Sequence, residues 1–321
     1  MIFYQKKDKI RFYFEIDSYL KECSIKSQSK SIDFRCRFCD DKNSKFRAKK
    51  HFGQNFLKDE CYLNQIIESA SKLHSEIESK LKYPPKVVEI GVGLGDLSAK
   101  LLNHFDLIAY EIDSELCERF ADRFPKDRFR LYNVDILEIA FKSGWLCDEP
   151  YILVSNLPYY IATKIILNAL KDDKCVGLVV MTQKEVAEKF CASVGRSEFC
   201  ALSVLTQSLS QSAQIVVNVP PSAFIPPPKV DSAVFSIEKN GAKFNADFEK
   251  MLRVAFSAPR KRAIKNLDSL VDSVGEIAEN GAIEKIFKSL GLDENARAHQ
   301  ISTENYHQIF MKIQEKNNGR K

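Results

Sequence analysis

The residues best placed to do chemistry are Asn156-Leu157-Pro158-Tyr159, which follow directly on the apolar run Tyr151–Ser155. The exocyclic amine of adenine is a poor nucleophile because its lone pair is delocalised into the ring. An Asn side-chain oxygen and a backbone carbonyl, held still by a proline, can accept both hydrogens of that amine and favour a more tetrahedral nitrogen. The neighbouring aromatic offers a face on which a base taken out of its helix can stack. Transfer of a methyl group to such a nitrogen is an in-line displacement helped mainly by positioning. Taken alone, Asn, Pro and an aromatic side by side also describe an ordinary turn, so the weight rests on what stands around them.

Three further positions fall at consecutive strand ends. The segment Val87–Gly95 reads V-V-E-I-G-V-G-L-G, an apolar strand running into a glycine turn that lets a ligand approach the backbone. A dinucleotide pattern needs Gly or Ala three residues after Gly93; Asp96 stands there, and the pattern suits a cofactor without a pyrophosphate. At the next strand end Glu111, in A-Y-E-I-D, can accept both hydroxyls of a ribose. At the one after it Asp135, in N-V-D-I-L, can take an adenine amine, with Ile136 beside it as an apolar face. This edge is where open α/β sheets bind ligands, and Gly91, Glu111 and Asp135 together read as a site for S-adenosylmethionine.

Such a site needs a sheet to present it. From Lys86 onward, short β-branched runs alternate with amphipathic stretches: Val87–Ile90, Leu97–Phe105, Leu107–Glu111 and Leu116–Phe124. That alternation predicts a parallel sheet with crossover helices. Further strands are predicted at Phe129–Asn133, Ile152–Ser155, Val176–Thr182, Ser212–Val219 and Ser232–Ile237, and Pro220–Pro228, with five of the eleven prolines, as an extended loop. After a composition break near Lys239–Lys243 only helices are predicted, over Asp247–Phe256, Lys261–Val274, Glu276–Leu290 and Glu304–Glu315. The expected fold is α/β, a Rossmann-like methyltransferase sheet of about seven mostly parallel strands plus a small C-terminal all-helical domain. The expected division is a basic extension over 1–45, a catalytic domain over 46–239 and a helical RNA-binding domain over 240–321.

Charge points to a polyanionic partner. Residues 1–50 hold fourteen Lys or Arg against seven Asp or Glu, although the whole chain carries only +5. A second basic stretch, Lys250–Leu267, contains Arg260, Lys261 and Arg262 and no acidic residue. Clustered cations of this kind neutralise phosphates, though a solvated surface has the same composition. No apolar run is long enough for a membrane helix and Met1–Leu20 lacks a secretory apolar segment, so no membrane association and a cytoplasmic location are expected. The nine cysteines show no disulfide-like spacing. Cys36 and Cys39 form a lone C-x-x-C that would need further ligands such as Cys23 or Cys61 to hold zinc, and no metal is expected.

Five motifs in order, Lys50–Leu57, the E-I-G-x-G-x-G turn, Asn156–Tyr159, Gln183–Val186 and Phe224–Ser232, resemble the bacterial small-subunit (16S) ribosomal RNA adenine dimethyltransferase family over about residues 46 to 312. The resemblance implies transfer of two methyl groups to each of two adjacent adenines near the 3′ end of 16S rRNA, on the immature 30S subunit, by a monomer. It further implies cofactor contacts from Asn55, Leu57, Gly91, Glu111, Asp135 and Asn156, and base stacking by Tyr159 and Phe224. Pro259-Arg260-Lys261 departs from the family's two arginines and a lysine, which leaves the RNA contacts of Arg260, Lys261 and Arg262 open. Residues 1 to about 40 have no counterpart in the family. Three alternatives are weighed: the 23S rRNA methyltransferase of macrolide resistance, an adenine DNA methyltransferase, and an assembly checkpoint whose main role is to bind immature 30S particles. The N-L-P-Y form of the motif and Val230-Asp231-Ser232 favour the small-subunit enzyme.

Overall fold

The computed structural model describes residues 54–120, 123–274 and 281–318; the basic extension 1–45 with Cys36 and Cys39 lies outside the described residues. In chain order the elements are β1 (Phe56–Leu57), α1 (Glu60–Leu81), β2 (Lys86–Ile90), α2 (Asp96–Leu101), β3 (Leu107–Glu111), α3 (Ser114–Phe120) and β4 (Phe129–Asn133). They continue with β5 (Tyr151–Asn156), α4 (Tyr159–Lys171), β6 (Cys175–Gln183), α5 (Lys184–Cys191), α6 (Ala201–Leu209) and β7 (Ser210–Val219). The last are β8 (Phe224–Ile225), β9 (Ser232–Lys239), α7 (Ala246–Ala255), α8 (Ala263–Val274), α9 (Ala282–Ser289) and α10 (Thr303–Asn318). All of the predicted strands form, and together they make one seven-stranded sheet in the order β4-β3-β2-β5-β6-β9-β7. β4, β3, β2, β5 and β6 pair in parallel, and β9 runs antiparallel to both β6 and β7.

Successive side chains of a strand point to opposite faces, and the central strands here are apolar on both. Ile152 and Val154 of β5 enter one cluster with Leu63, Ile66 and Leu73 of α1 and Leu97 of α2. Leu153 between them enters the other, with Ile165 and Ile166 of α4 and Phe190 of α5. Phe248, Ile264, Phe287 and Tyr306 of the C-terminal helices belong to that second cluster as well, through contacts of α6 with α7 and α10. The C-terminal helices therefore complete the core that covers one face of the sheet.

Several elements escape the sequence pattern. α1, α4, α5 and α6 were not predicted as helices, and α2 ends at Leu101 rather than Phe105. The proline segment is not a featureless loop: Phe224 and Ile225 form an antiparallel ladder with Leu57 and Phe56. Gly281 caps α9, with φ of 81°; the expected helix start at Glu276 lies outside the described residues. Among the described residues no helix is long and apolar enough to cross a membrane.

One buried carboxyl makes the stability of this fold depend on pH. Glu89 of β2 is 1% exposed, and burial pushes its pKa up to about 8; the hydrogen bond from Ser98 Oγ (2.6 Å) opposes the shift, while Glu111 and Asp96 add to it. With the folded value above the ordinary 4.5, the native state holds a proton that the unfolded chain releases. The contribution is complete below about pH 4.5 and is lost as pH rises towards about 8. Glu89→Gln is expected to flatten the fall of stability across this window, by up to about 1.4 kcal/mol per pH unit. Urea denaturation of both proteins between pH 5 and 8.5 checks this, with the raised carboxyl of Glu111 and the lowered imidazole of His307 among the groups that shape the remaining slope.

Candidate active site

The carboxyl ends of β4, β3, β2 and β5 meet along one edge of the sheet, and a cleft of about 1000 Å³, solvent at its mouth included, opens there. At the floor, β2 turns through Gly91 and Gly93, both with positive φ (78° and 58°). A Cβ on Gly91 would point towards the Pro158 ring at 3.7 Å, and one on Gly93 would meet the Phe56 ring at 3.1 Å. Only glycine leaves this turn both unstrained and open to a ligand.

Glu111, at the end of β3, is buried and locks the turn in place. Its Oε2 accepts the Gly93 N–H (3.1 Å) and its Oε1 the Asp113 N–H (2.9 Å). Each carboxylate oxygen has a second acceptor site, so two remain for a diol. Burial raises the Glu111 carboxyl above its ordinary range, against the backbone hydrogen bonds that stabilise its charge. Asp135, beyond β4, accepts the Leu137 N–H through Oδ1 (2.9 Å), with Ile136 buried beside it. Asp96 also lines the cleft and pairs with Lys58 (2.6 Å). Four carboxyl groups, Glu89, Asp96, Glu111 and Asp135, thus line the cleft, and among the described residues Lys58 pairs with one of them, Asp96. A cofactor with a net positive charge, a ribose diol and an adenine amine fits this donor and acceptor set; a pyrophosphate does not.

The segment before α1 runs across the cleft. Gln54 Nε2 donates to Asp113 Oδ2 (3.1 Å), beside Glu111. The Asn55 carbonyl accepts from Asn156 Nδ2 (3.2 Å), and Leu57 pairs with Phe224 in the small ladder. Asn55, Leu57, Gly91, Glu111, Asp135 and Asn156, from five separate parts of the chain, line one cavity together with Leu157, Pro158 and Tyr159.

The hydrogen bond to Asn55 engages the amide nitrogen of Asn156, a residue that lines the cleft, and leaves its Oδ1 available as an acceptor. The Leu157 N–H donates to the Met181 carbonyl of β6 (3.0 Å), and Pro158 caps α4 with φ of −59°. The Tyr159 hydroxyl lies 2.6 Å from Ser232 Oγ at the start of β9, and burial holds it above the ordinary tyrosine range against that hydrogen bond. Phe224 departs from expectation. It is 2% exposed, belongs to the core beside Leu57 and Leu63, and does not line the cleft, so in this structure its ring offers no open face to a base. The ladder with β1 turns Phe224 inward and Ile225 outward.

Arg260, Lys261 and Arg262 lie at the turn between α7 and α8 and are all exposed. An isolated bridge pairs Arg262 with Arg297, and the Ala263 N–H donates to the Ala296 carbonyl (2.8 Å), so the exposed Arg297 joins the same patch. No sequence signal placed Arg297 there. Ser232 is different: it stood in a quoted motif, and only the contact with Tyr159 gives it a role.

Comparison with known proteins follows the same lines. The sequence model of the family described as "Ribosomal RNA adenine dimethylase" matches residues 45–315. A protein of Sulfurimonas denitrificans named ribosomal RNA small subunit methyltransferase A is 47% identical over 83% of this chain and 94% of its own length. One of the same name from Helicobacter hepaticus is 42% identical over 86% of this chain and 95% of its own. Among solved structures, a dimethyladenosine transferase from Plasmodium falciparum (TM-score 0.64, 23% identical, 81% of this chain and 98% of that one) shares the fold. So does a 23S rRNA methyltransferase (TM-score 0.58, 23% identical, 81% and 100%). The chain belongs to the ribosomal RNA adenine dimethylase family, and it is an rRNA adenine methyltransferase that uses S-adenosylmethionine.

Proposed function

We propose that this protein places two methyl groups on N6 of each of two adjacent adenines near the 3′ end of 16S rRNA. It would act as a cytoplasmic monomer on the immature 30S particle. The observation that carries the site reading is Asn156, which lines the cleft with its amide nitrogen bound to the Asn55 carbonyl and its oxygen left available as an acceptor. An acceptor fixed in that way suits an exocyclic amine.

In this reading residues 46–239 hold the cofactor and residues 240–321 carry most of the RNA contacts. Glu111 takes the ribose diol through its two remaining acceptor sites, Asp135 takes the adenine amine, and Asn55, Leu57 and Gly91 line the path to the reaction motif. S-adenosylmethionine, when bound, supplies an electrophilic methyl group on a positively charged sulfur. Asn156 Oδ1 draws one N6 hydrogen of the substrate base towards itself, and the rigid turn at Leu157-Pro158 holds the base plane. Tyr159, anchored on Ser232, is the stacking surface. No residue of the motif serves as a base, because an amide does not titrate and the Tyr159 hydroxyl is held protonated. The methylated nitrogen, once cationic, sheds its proton to water. Arg260, Lys261, Arg262 and Arg297 contact phosphates.

Cofactor affinity is expected to collapse in Glu111→Ala and to weaken strongly in Asp135→Ala, since each leaves ligand donors unpaired. Calorimetric titration with S-adenosylmethionine checks this, and wild-type affinity in both variants would refute the assignment. Asn156→Ala is expected to fold and bind RNA, yet to lose at least about 100-fold in methyl transfer at saturating cofactor, the scale for one preorganised polar group acting on a transition state. Tyr159→Phe should keep most activity and Tyr159→Ala should not; equal loss in both, with normal RNA binding, would replace stacking by a role for the hydroxyl. Changing Arg260, Lys261 and Arg262 together to Ala is expected to flatten the slope of log affinity against log salt by up to about 3. Filter binding to 16S rRNA across a salt series measures it, and an unchanged slope would make the patch a solvated face.

A further inference from the structure

Two tyrosines stand side by side at the start of α4, and they face different parts of the cleft. Consecutive helical positions are about 100° apart around the axis. Tyr159 turns its hydroxyl to Ser232 on β9, at the side of the cleft assigned to the substrate. Tyr160 lines the same cleft, yet it is 59% exposed and its hydroxyl has no hydrogen-bond partner among the described residues. That hydroxyl is held above the ordinary tyrosine range by partial burial and then by the negative charges of Asp135 and Glu111. Those two carboxylates mark the ends of β4 and β3, the side assigned to adenosine. A largely exposed aromatic ring that lines a ligand cleft together with two carboxylates has the form of a side chain that completes its contacts on binding.

We propose that Tyr160 is a cofactor-binding residue that closes the rim of the cleft over the adenosine half of S-adenosylmethionine, its ring lying against the nucleoside beside Asp135 and Glu111. This rests on the cofactor reading of the cleft given above. Adjacent aromatics thereby divide the site, Tyr159 serving the substrate base and Tyr160 the nucleoside of the cofactor. The division follows from helical geometry, because one turn start presents both rings while β9 captures only the first.

The test uses the full-length protein and two probes, S-adenosylhomocysteine and 5′-methylthioadenosine, the second lacking the amino-acid half. Tyr160→Ala is expected to weaken binding of both by the same factor, about 10-fold, the size of one lost aromatic stacking contact. Tyr160→Phe should stay within about 2-fold of wild type if the ring supplies most of the contact. Thermal unfolding of the unliganded variants should match wild type, since the side chain is largely exposed. Wild-type affinity of Tyr160→Ala for both probes would overturn the proposal. A rise in the KM for 30S particles with unchanged probe affinity would also overturn it, by moving Tyr160 to the substrate side. Failure of the wild-type protein to bind either probe would instead overturn the cofactor reading itself, and the proposal with it.

Discussion

Between β2 and β5 the backbone ladder ends at the pair Val88 and Leu153, and the cleft exists because the two strands part beyond it. The chain winds outward from β2 through β3 to β4 and from β5 to β6 in the opposite direction, which makes this gap the switch point of the sheet. One buried contact spans it: Ser155 Oγ donates to the Ile90 carbonyl at 2.5 Å. The next residue on each strand lines the cleft, Gly91 on one and Asn156 on the other. Holding the strands together at Ser155 fixes how far apart those two positions lie. The glycine turn and the reaction motif can then share one cavity without being packed shut.

Electrostatics divides the molecule along similar lines. Acidic groups converge inside the cleft, where burial raises the carboxyls of Glu89 and Glu111. Exposed cations collect outside it, on the turn before α8 and around Arg297. Carboxyls whose titration is shifted by burial are a common mark of functional clefts. A cofactor with positive charge on sulfur suits the acidic cleft, whereas a polyanion is better matched to the outer surface.

The segment Gln54–Leu57 joins these parts through backbone and side-chain contacts of modest individual strength. It touches Asp113 beside the β3 end, Asn156 at the β5 end and Phe224 in the proline segment. The same ladder that positions it turns Phe224 into the core. Two of the aromatic side chains that line the cleft come from α4, where Tyr159 is tied to β9 and Tyr160 has no hydrogen-bond partner among the described residues.

The sequence by itself determined the sheet and the chemistry at its edge. β-branched runs of five or six residues between amphipathic stretches can be buried on both faces only as parallel strands, and an acid or glycine at each strand end falls on the same edge whatever the loops do. Gly91, Glu111, Asp135 and Asn156 were legible for that reason. α1, α4, α5 and α6 were not: α4 and α5 start without a side-chain cap and their apolar positions merge with neighbouring strands, α6 is capped by a cysteine, and α1, capped by Asp59, lies before the alternating segment that begins at Lys86. Their helical state was decided by packing against the sheet faces. Tertiary structure alone decided which way a side chain turns once its segment is placed: Phe224 inward, Ser232 onto Tyr159, Arg297 beside Arg262. Each of these depends on a partner dozens of residues away, brought near by strand pairing or helix packing, and no local pattern of residue types encodes such a neighbour.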